Sequence, residues 1–339
     1  MTTVRVRSIR KCEVCRVSSE CDTGSNPVLT TKNILKMSVN KKKINVLSLF
    51  GGIECGRVAL DREGITIDKY YSSEICKNAI KVADGNYSDI IQLGDITKWR
   101  EWVIDWGSIN LLLAGFPCQS WSLAGKQKGI LDERGKLVYC MIDILNEIRK
   151  RNINVKFLFE NVKMKPAYLD FLNEKIGVYP IRFNSKDVSA GMRDRYYWTN
   201  IDNVKPLPKK DIKLSDILDS GKVDRDKALC ITKRYEGFSG SQSYLRRRYF
   251  GKSMGQAVFE NCEPSEQKEM WKADNRKEYN TPGVIRSLTT RECEKIQTLP
   301  VGYVENIIGD NMKAKGLIGN GWTVDVICHI FSFLNEENF

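Results

Sequence analysis

The residue types able to do chemistry in this chain stand at the ends of short apolar runs. Leu111-Leu112-Leu113-Ala114 reads as a buried strand that Gly115 and Pro117 stop, and the next side chain is Cys118. A thiol at the mouth of a strand, ahead of a Gly/Lys-rich loop, is where an α/β enzyme places a nucleophile. The other common fate of a free cysteine is to be a small buried hydrophobe. A later run, Val155 to Phe159, ends in Glu160-Asn161-Val162. In a parallel sheet the two strand ends lie along one edge, so Cys118 and Glu160 can share a crevice. Two earlier runs also end in carboxylates, Tyr70 to Ser73 in Glu74 and Ile91 to Gly94 in Asp95. Each acid either meets a nucleotide-like ligand, Glu74 at ribose hydroxyls and Asp95 at an adenine amino group, or caps the following helix. The single histidine, His329, sits among Val326, Ile327, Ile330 and Phe331, so acid–base work falls to Asp, Glu, Cys or Lys.

The elements that must position these residues alternate. Ile44 to Phe50 reads as a first strand, and Gly51-Gly52-Ile53-Glu54-Cys55-Gly56 turns into a helix through Leu60. Asn110 to Phe116 is the fourth strand, followed by a helix from Arg134 to Lys150 with Leu137, Met141, Ile144, Leu145 and Ile148 on one face. A further strand near Ile181 to Val188 leads into Arg193-Asp194-Arg195. This alternation predicts an α/β fold with a twisted, mostly parallel sheet and right-handed crossovers. From Asn200 to Ile285 the pattern loosens, with Pro206 and Pro208 marking a linker. Arg246-Arg247-Arg248-Tyr249-Phe250 there suits a phosphate-contacting surface on a small separate module. A capped helix returns near Arg286 to Gln297, and an apolar helix closes the chain. The expected plan is a basic tail over 1–43, a catalytic and cofactor-binding domain over 44–199, a recognition module over 200–285, and a return to the catalytic domain over 286–339.

Charge fits this plan. The chain of 339 residues carries a net +12, but residues 1–43 hold ten Lys/Arg against three Asp/Glu, and residues 200–285 hold seventeen against thirteen. A near-neutral catalytic part beside a basic module suits a polyanionic partner; solvated charge for solubility is the alternative. No apolar run approaches the roughly 18 residues of a membrane span, so no membrane partner is expected. Eleven scattered cysteines favour a reducing, intracellular compartment over a disulfide scaffold. Cys12, Cys15 and Cys21 lack a clear fourth ligand, so no metal is expected. Met37 offers an alternative start that would remove most of the tail.

As a set, these residues resemble the DNA (cytosine-5) methyltransferases. Phe50-x-Gly52, Glu74, Asp95, Pro117-Cys118-Gln119, Phe159-Glu160-Asn161-Val162, Arg193-x-Arg195, Arg286-x-Leu288-Thr289-x-Arg291-Glu292 and Gly319-Asn320 follow the family's order. The likeness covers about 44–201 and 284–333. The loop Gly125 to Gly129 looks like that of bacterial modification enzymes. Ser48, Gly191-Met192 and Gly321-Trp322-Thr323 depart from the usual aspartate, glutamine and Ser-Val, and look like the de novo animal branch.

The resemblance implies a Rossmann-like fold that uses S-adenosyl-L-methionine, double-stranded DNA as partner, and base flipping. Cys118 would add to cytosine carbon-6, making carbon-5 nucleophilic. Glu160 would protonate or hydrogen-bond ring N3, a role that wants a raised pKa. Arg195 would contact the base oxygen, with Arg193 in support. For the cofactor, Phe50 and Ile75 would flank adenine, Glu74 and Asp95 would take ribose and amino group, and Gly52, Ile53, Cys55, Asn320, Gly321 and Trp322 would enclose the methionine part, with Ile96, Pro117 and Leu137 completing the site. Gln119, Ser122, Lys126 and Lys128 on the loop, Arg246, Arg247 and Arg248 in the module, and Arg291 would meet DNA. A transfer-RNA methyltransferase of this fold is disfavoured because its Cys-Phe-Thr motif is absent. A non-catalytic regulator is disfavoured because Pro-Cys and Glu-Asn-Val are intact.

Overall fold

Seven strands make the central sheet: β1 (Ile44–Leu49), β2 (Ile67–Ser73), β3 (Ile90–Gln92), β4 (Ile109–Ala114), β5 (Lys156–Val162), β6 (Ile181–Asn184) and β7 (Asp194–Thr199). They lie in the order β3-β2-β1-β4-β5-β7-β6. The computed structural model describes residues 42–117, 133–232, 241–252, 255–273 and 283–334, all within the compact unit Lys41–Phe339. Cys12, Cys15, Cys21 and Met37 of the tail lie outside them, as do Cys118, Gln119, Ser122, Lys126 and Lys128. Among the described residues no helix is long and apolar enough to cross a membrane.

Strands β1 to β5 pair in parallel, joined through helices α1 (Cys55–Arg62), α2 (Lys77–Asn86) and α3 (Glu133–Arg151). A parallel sheet needs cover on both faces, and the two-residue alternation of the strands divides two cores between them. Val46, Leu111, Leu113, Leu158 and Tyr197 face one cluster, which includes Val58 and Ala59 of α1 and Val326, Ile327 and Ile330 of the closing helix α9 (Val324–Phe331). Leu47, Leu112, Phe157, Phe159 and Trp198 face the other, with Met141, Ile144 and Leu145 of α3 and Leu172 and Ile176 of α4 (Pro166–Ile176). Each such aliphatic side chain contributes about 1.5–3 kcal/mol on burial. Because β1 is flanked by β2 on one side and β4 on the other, the chain reverses direction of growth between β1 and β4. The crevice at their carboxyl ends is the ligand-binding position of an open α/β sheet.

Strand β7 departs from the expected pattern. The predicted strand over 181–188 is shorter, passing into a turn of 3-10 helix at Ser185–Asp187, and the following Arg-rich motif is itself a strand. It inserts between β5 and β6, antiparallel to both. The charged run Arg193-Asp194-Arg195 hides its start, but Tyr196-Tyr197-Trp198-Thr199 has the aromatic and β-branched composition of a strand.

The apolar side chains of residues 200–285 divide between two clusters. Ile201, Leu207, Leu214, Ala228 and Ile231 belong to the main core beside α9. A separate cluster holds Leu245 and Tyr249 of α5 (Gln242–Lys252), Ala257, Phe259 of β8 (Val258–Glu260) and Ile285 of β9 (Val284–Arg286). Helix α6 (Pro264–Ala273) packs there through Trp271, stacked with Phe250 at 5.9 Å between ring centroids. The aromatics expected on a phosphate-contacting surface are therefore the core of the module.

After β9 the chain returns in α7 (Thr290–Ile296), started by a capping box of Thr289 and Glu292. Two fully buried glutamates anchor this return. Glu292 pairs with Arg286, which also reaches Glu260 of β8. Glu294 accepts the backbone N–H groups of Gly302, Val304 and Glu305 at 2.7, 2.7 and 2.9 Å, folding the loop that leads to α8 (Asn311–Asn320). Glu294→Ala leaves three donors without their acceptor and is expected to lower unfolding free energy by about 2–4 kcal/mol. Denaturant titration checks this, and an unchanged midpoint would show that water replaces the carboxylate.

Candidate active site

The β1–α1 turn is built from backbone that side chains rarely adopt. Phe50, Gly52 and Glu54 have φ of 54°, 59° and 59°, a left-handed conformation costing about 1–2 kcal/mol at each non-glycine position. Contacts on all sides hold it. Glu54 turns its carboxylate beneath the turn, accepting hydroxyls from Ser48 (2.9 Å), Tyr70 (2.7 Å) and Ser72 (2.5 Å). A side chain at position 51 would collide with that carboxylate, which is why Gly51 stands there. The Tyr303 hydroxyl donates to the Ile53 carbonyl at 2.7 Å from the far end of the chain. Burial pushes the Glu54 carboxyl above its ordinary value, against the pull of its three hydroxyl donors.

The two carboxylates at strand ends take different places. Glu74 accepts Gly52 N–H at 2.9 Å with one oxygen, and the N–H groups of Ile75 and Cys76 at 2.8 and 2.7 Å with the other. It thus ties the β1 turn to the start of α2. Ile75 beside it is 71% exposed. Asp95 accepts Thr97 N–H at 2.9 Å with Oδ1 and caps a turn of 3-10 helix. Phe50, Leu93 and Leu137 lie half-buried at the margin of the second core, whereas Ile96 is buried inside it. Ile53 and Cys55 are buried in the first core, and burial raises the Cys55 thiol to about 12, which leaves it unreactive.

At the neighbouring strand ends the geometry tightens. Asn161 Nδ2 donates to the Phe116 carbonyl at 3.1 Å, fastening the end of β5 to the Phe116-Pro117 turn that precedes Cys118. Glu160 is buried. Its Oε1 lies 2.9 Å from Arg195 Nε, an ion pair without hydrogen-bond alignment, and its Oε2 accepts the Trp322 indole N–H at 3.1 Å. Register brings Arg195 there, because Glu160 stands opposite Tyr197 and Val162 opposite Arg195. Arg193, also buried, donates to the Gly319 carbonyl at 3.1 Å. Both guanidinium groups reach Cys230 Sγ, at 3.8 Å from Arg193 and 3.7 Å from Arg195. Gln297, at the end of α7, donates to the Ile318 and Gly321 carbonyls at 3.1 Å each and accepts the Thr323 hydroxyl at 2.7 Å. It thereby grips the loop carrying Gly321 and Trp322. Asn320 is exposed at the end of α8.

The C-5 cytosine-specific DNA methylase model matches residues 44–165 and 191–336. The chain belongs to that family. Among its relatives, the orphan methyltransferase M.Rho11sI of Bacillus phage rho11s is 40% identical over 123 residues, which are 36% of this chain and 23% of that protein. The type II methyltransferase M.DsaV of Dactylococcopsis salina is 38% identical over 125 residues, 37% of this chain and 33% of that protein. The matched stretch is thus a third or less of either relative's length. Among solved structures, the Entamoeba histolytica methyltransferase EhMeth is similar with a TM-score of 0.62 at 19% identity, covering 86% of this chain and 98% of that one. At that identity the likeness concerns the fold.

Within the family frame, three groups went unread in the sequence. Glu54 and Cys230 carry no spacing signal of their own. Gln297 was legible only as the end of a helix. Arg246, read as a DNA contact, is buried and donates to the Gly283 carbonyl at 2.5 Å and to Gln267 at 3.3 Å. Consecutive helical residues point about 100° apart, so three arginines in a row cannot share a face. Arg247 is exposed, Arg248 donates to the Tyr244 hydroxyl at 2.7 Å, and Arg291 pairs with Glu305 at 3.2 Å.

A carboxyl whose folded value is raised stabilises the protein most below the ordinary carboxylate range, and loses that contribution as pH rises through its folded value. Glu54→Gln keeps the shape and removes the titration. Thermal melts between pH 5 and 8 are expected to show wild type losing ground to the variant as pH rises. A constant difference across that range would mean that Glu54 does not titrate within it.

Proposed function

We propose that the chain transfers a methyl group from S-adenosylmethionine to carbon-5 of cytosine in double-stranded DNA, with Cys118 as nucleophile and Glu160 as the acid at ring N3. The observation that carries this reading is the placement of Glu160: buried, paired with Arg195, and tied through Asn161 to the turn that delivers Cys118. Family membership supports the reaction, and the phage and bacterial methyltransferases among the relatives support a modification enzyme.

The residues at the β1 and β2 ends fit the methyl donor. An apolar Ile75 left 71% exposed beside Glu74, whose carboxylate also holds the Gly52 N–H, suits a flat nucleoside ring and its sugar hydroxyls. Glu74 would take the ribose, Asp95 the adenine amino group, and Gly52, Gly321 and Trp322 the methionine part. S-adenosylmethionine, when bound, supplies a methyl group made electrophilic by its sulfonium.

The chain's own residues do the rest. The target base leaves the stack at a cost of a few kcal/mol, on the order of that for other flipped bases. Cys118 thiolate adds to carbon-6 while Glu160 holds a proton at N3, which moves electron density onto carbon-5. Arg195 holds the base oxygen and Arg193 fixes the end of α8 through the Gly319 carbonyl. After carbon-5 is alkylated, loss of its proton expels Cys118 and restores the aromatic ring. The module built on α5, β8, α6 and β9 is the target-recognition element, with exposed Arg247 as its phosphate contact, and Lys126 and Lys128 meet the backbone from the catalytic loop.

Cys118→Ser is expected to abolish methyl transfer while S-adenosylmethionine still binds by calorimetry. Duplex DNA carrying 5-fluorocytosine is expected to trap a covalent complex on a denaturing gel, since no proton can leave carbon-5. Full activity of the serine variant would falsify the nucleophile, and an adduct that forms on transfer RNA but not on DNA would reassign the substrate.

A further inference from the structure

We infer that Trp322 is a positioning residue for Glu160: its indole N–H fixes the carboxyl's rotation by occupying Oε2, so that the oxygen left to share a proton with the base is Oε1, on the Arg195 side. The inference rests on the reading of Glu160 as the acid at N3.

Three contacts support it. The indole Nε1 lies 3.1 Å from Glu160 Oε2, and both side chains are buried. A carboxyl can turn about its last torsion almost freely, so a donor held on one oxygen selects one orientation. The indole is itself held. A Cβ on Gly115 would lie 2.9 Å from Nε1 and within 3.5 Å of two ring carbons, so the Nε1 edge of the ring lies against Gly115, on the backbone leading to Pro117 and Cys118. On the other side, Gln297 bonds the Gly321 carbonyl and the Thr323 hydroxyl, the residues flanking Trp322. A Glu160 that moved would therefore have to move the α7 end, the last loop and the β4 end together. The other charged and titratable groups facing Glu160 are Arg195 at 2.9 Å and Arg193 and Tyr197 of the β7 segment, with Cys230 behind the two guanidinium groups. Trp322 comes from the closing part of the chain, where Gly321-Trp322-Thr323 departs from the family's usual Ser-Val.

The test separates orientation from packing and from cofactor binding. Release of tritium from DNA labelled at cytosine carbon-5 is followed without the methyl donor, because exchange needs Cys118 addition and a working Glu160 but no methyl transfer. Trp322→Phe keeps an aromatic ring and loses the N–H. Its exchange rate is expected to fall about tenfold to a hundredfold, the scale of a misplaced catalytic group, with DNA affinity and melting temperature near wild type. Trp322→His is expected to recover much of the rate, because the five-membered rings superpose and Nε2–H falls where the indole N–H was. Equal exchange by wild type and Trp322→Phe overturns the inference, as does a histidine variant no better than phenylalanine. Glu160→Gln is run alongside. If it exchanges as fast as wild type, the acid role of Glu160 fails and the inference falls with it, whereas loss in Glu160→Gln with no loss in Trp322→Phe leaves the proposed function standing and removes only the indole.

Discussion

The antiparallel pairing of β7 with β5 is the contact on which the site's geometry depends. Its register sets Tyr197 opposite Glu160 and Arg195 opposite Val162, so Arg193, Arg195 and Glu160 come to one face of the sheet at one edge. Burying a carboxylate and two guanidinium groups is costly unless each finds partners. Here the partners are each other, the Gly319 carbonyl, the Cys230 sulfur and the Trp322 indole. A slip of one residue would turn Arg195 to the opposite face, toward Phe159 and Trp198.

The second constraint is that the first and last parts of the chain build the crevice together. The β1–α1 turn holds strained backbone at Phe50 and Glu54, and such conformations persist only where the surroundings over-determine them. Those surroundings include Tyr303, more than two hundred residues away in sequence, and the hydroxyls of β1 and β2. Glu294 and Gln297 serve the same end from α7, one folding the loop to Tyr303 and the other gripping the loop to Trp322. The motif around Arg286 to Glu292 links this return to β8, because Arg286 pairs both with half-buried Glu260 and with buried Glu292.

How much of this was legible follows from how local each signal is. The alternation of strands and helices, the carboxylates at strand ends and the Pro-Cys turn are set by neighbours a few residues apart, and these could be read. The capped start of α7 was legible for the same reason, since Thr289 and Glu292 bond each other. Helical direction within α5 was not: three adjacent arginines read as one basic patch until packing turned Arg246 inward. The packing of residues 201–231 was not legible either, because they are polar and loop-like in sequence yet place five apolar side chains in the main core.

By itself, then, the sequence determined the chemistry available: a thiol, a carboxyl and two guanidinium groups in a family order, on strand ends of an α/β sheet. Only the tertiary structure decided which of them touch. Insertion of β7, the Arg195–Glu160 pair, the buried Glu54 and the reach of Trp322 across to Glu160 all join residues separated by long stretches of chain. Such contacts leave no periodicity or spacing behind, since their geometry is set by strand register and by what fills the space between layers.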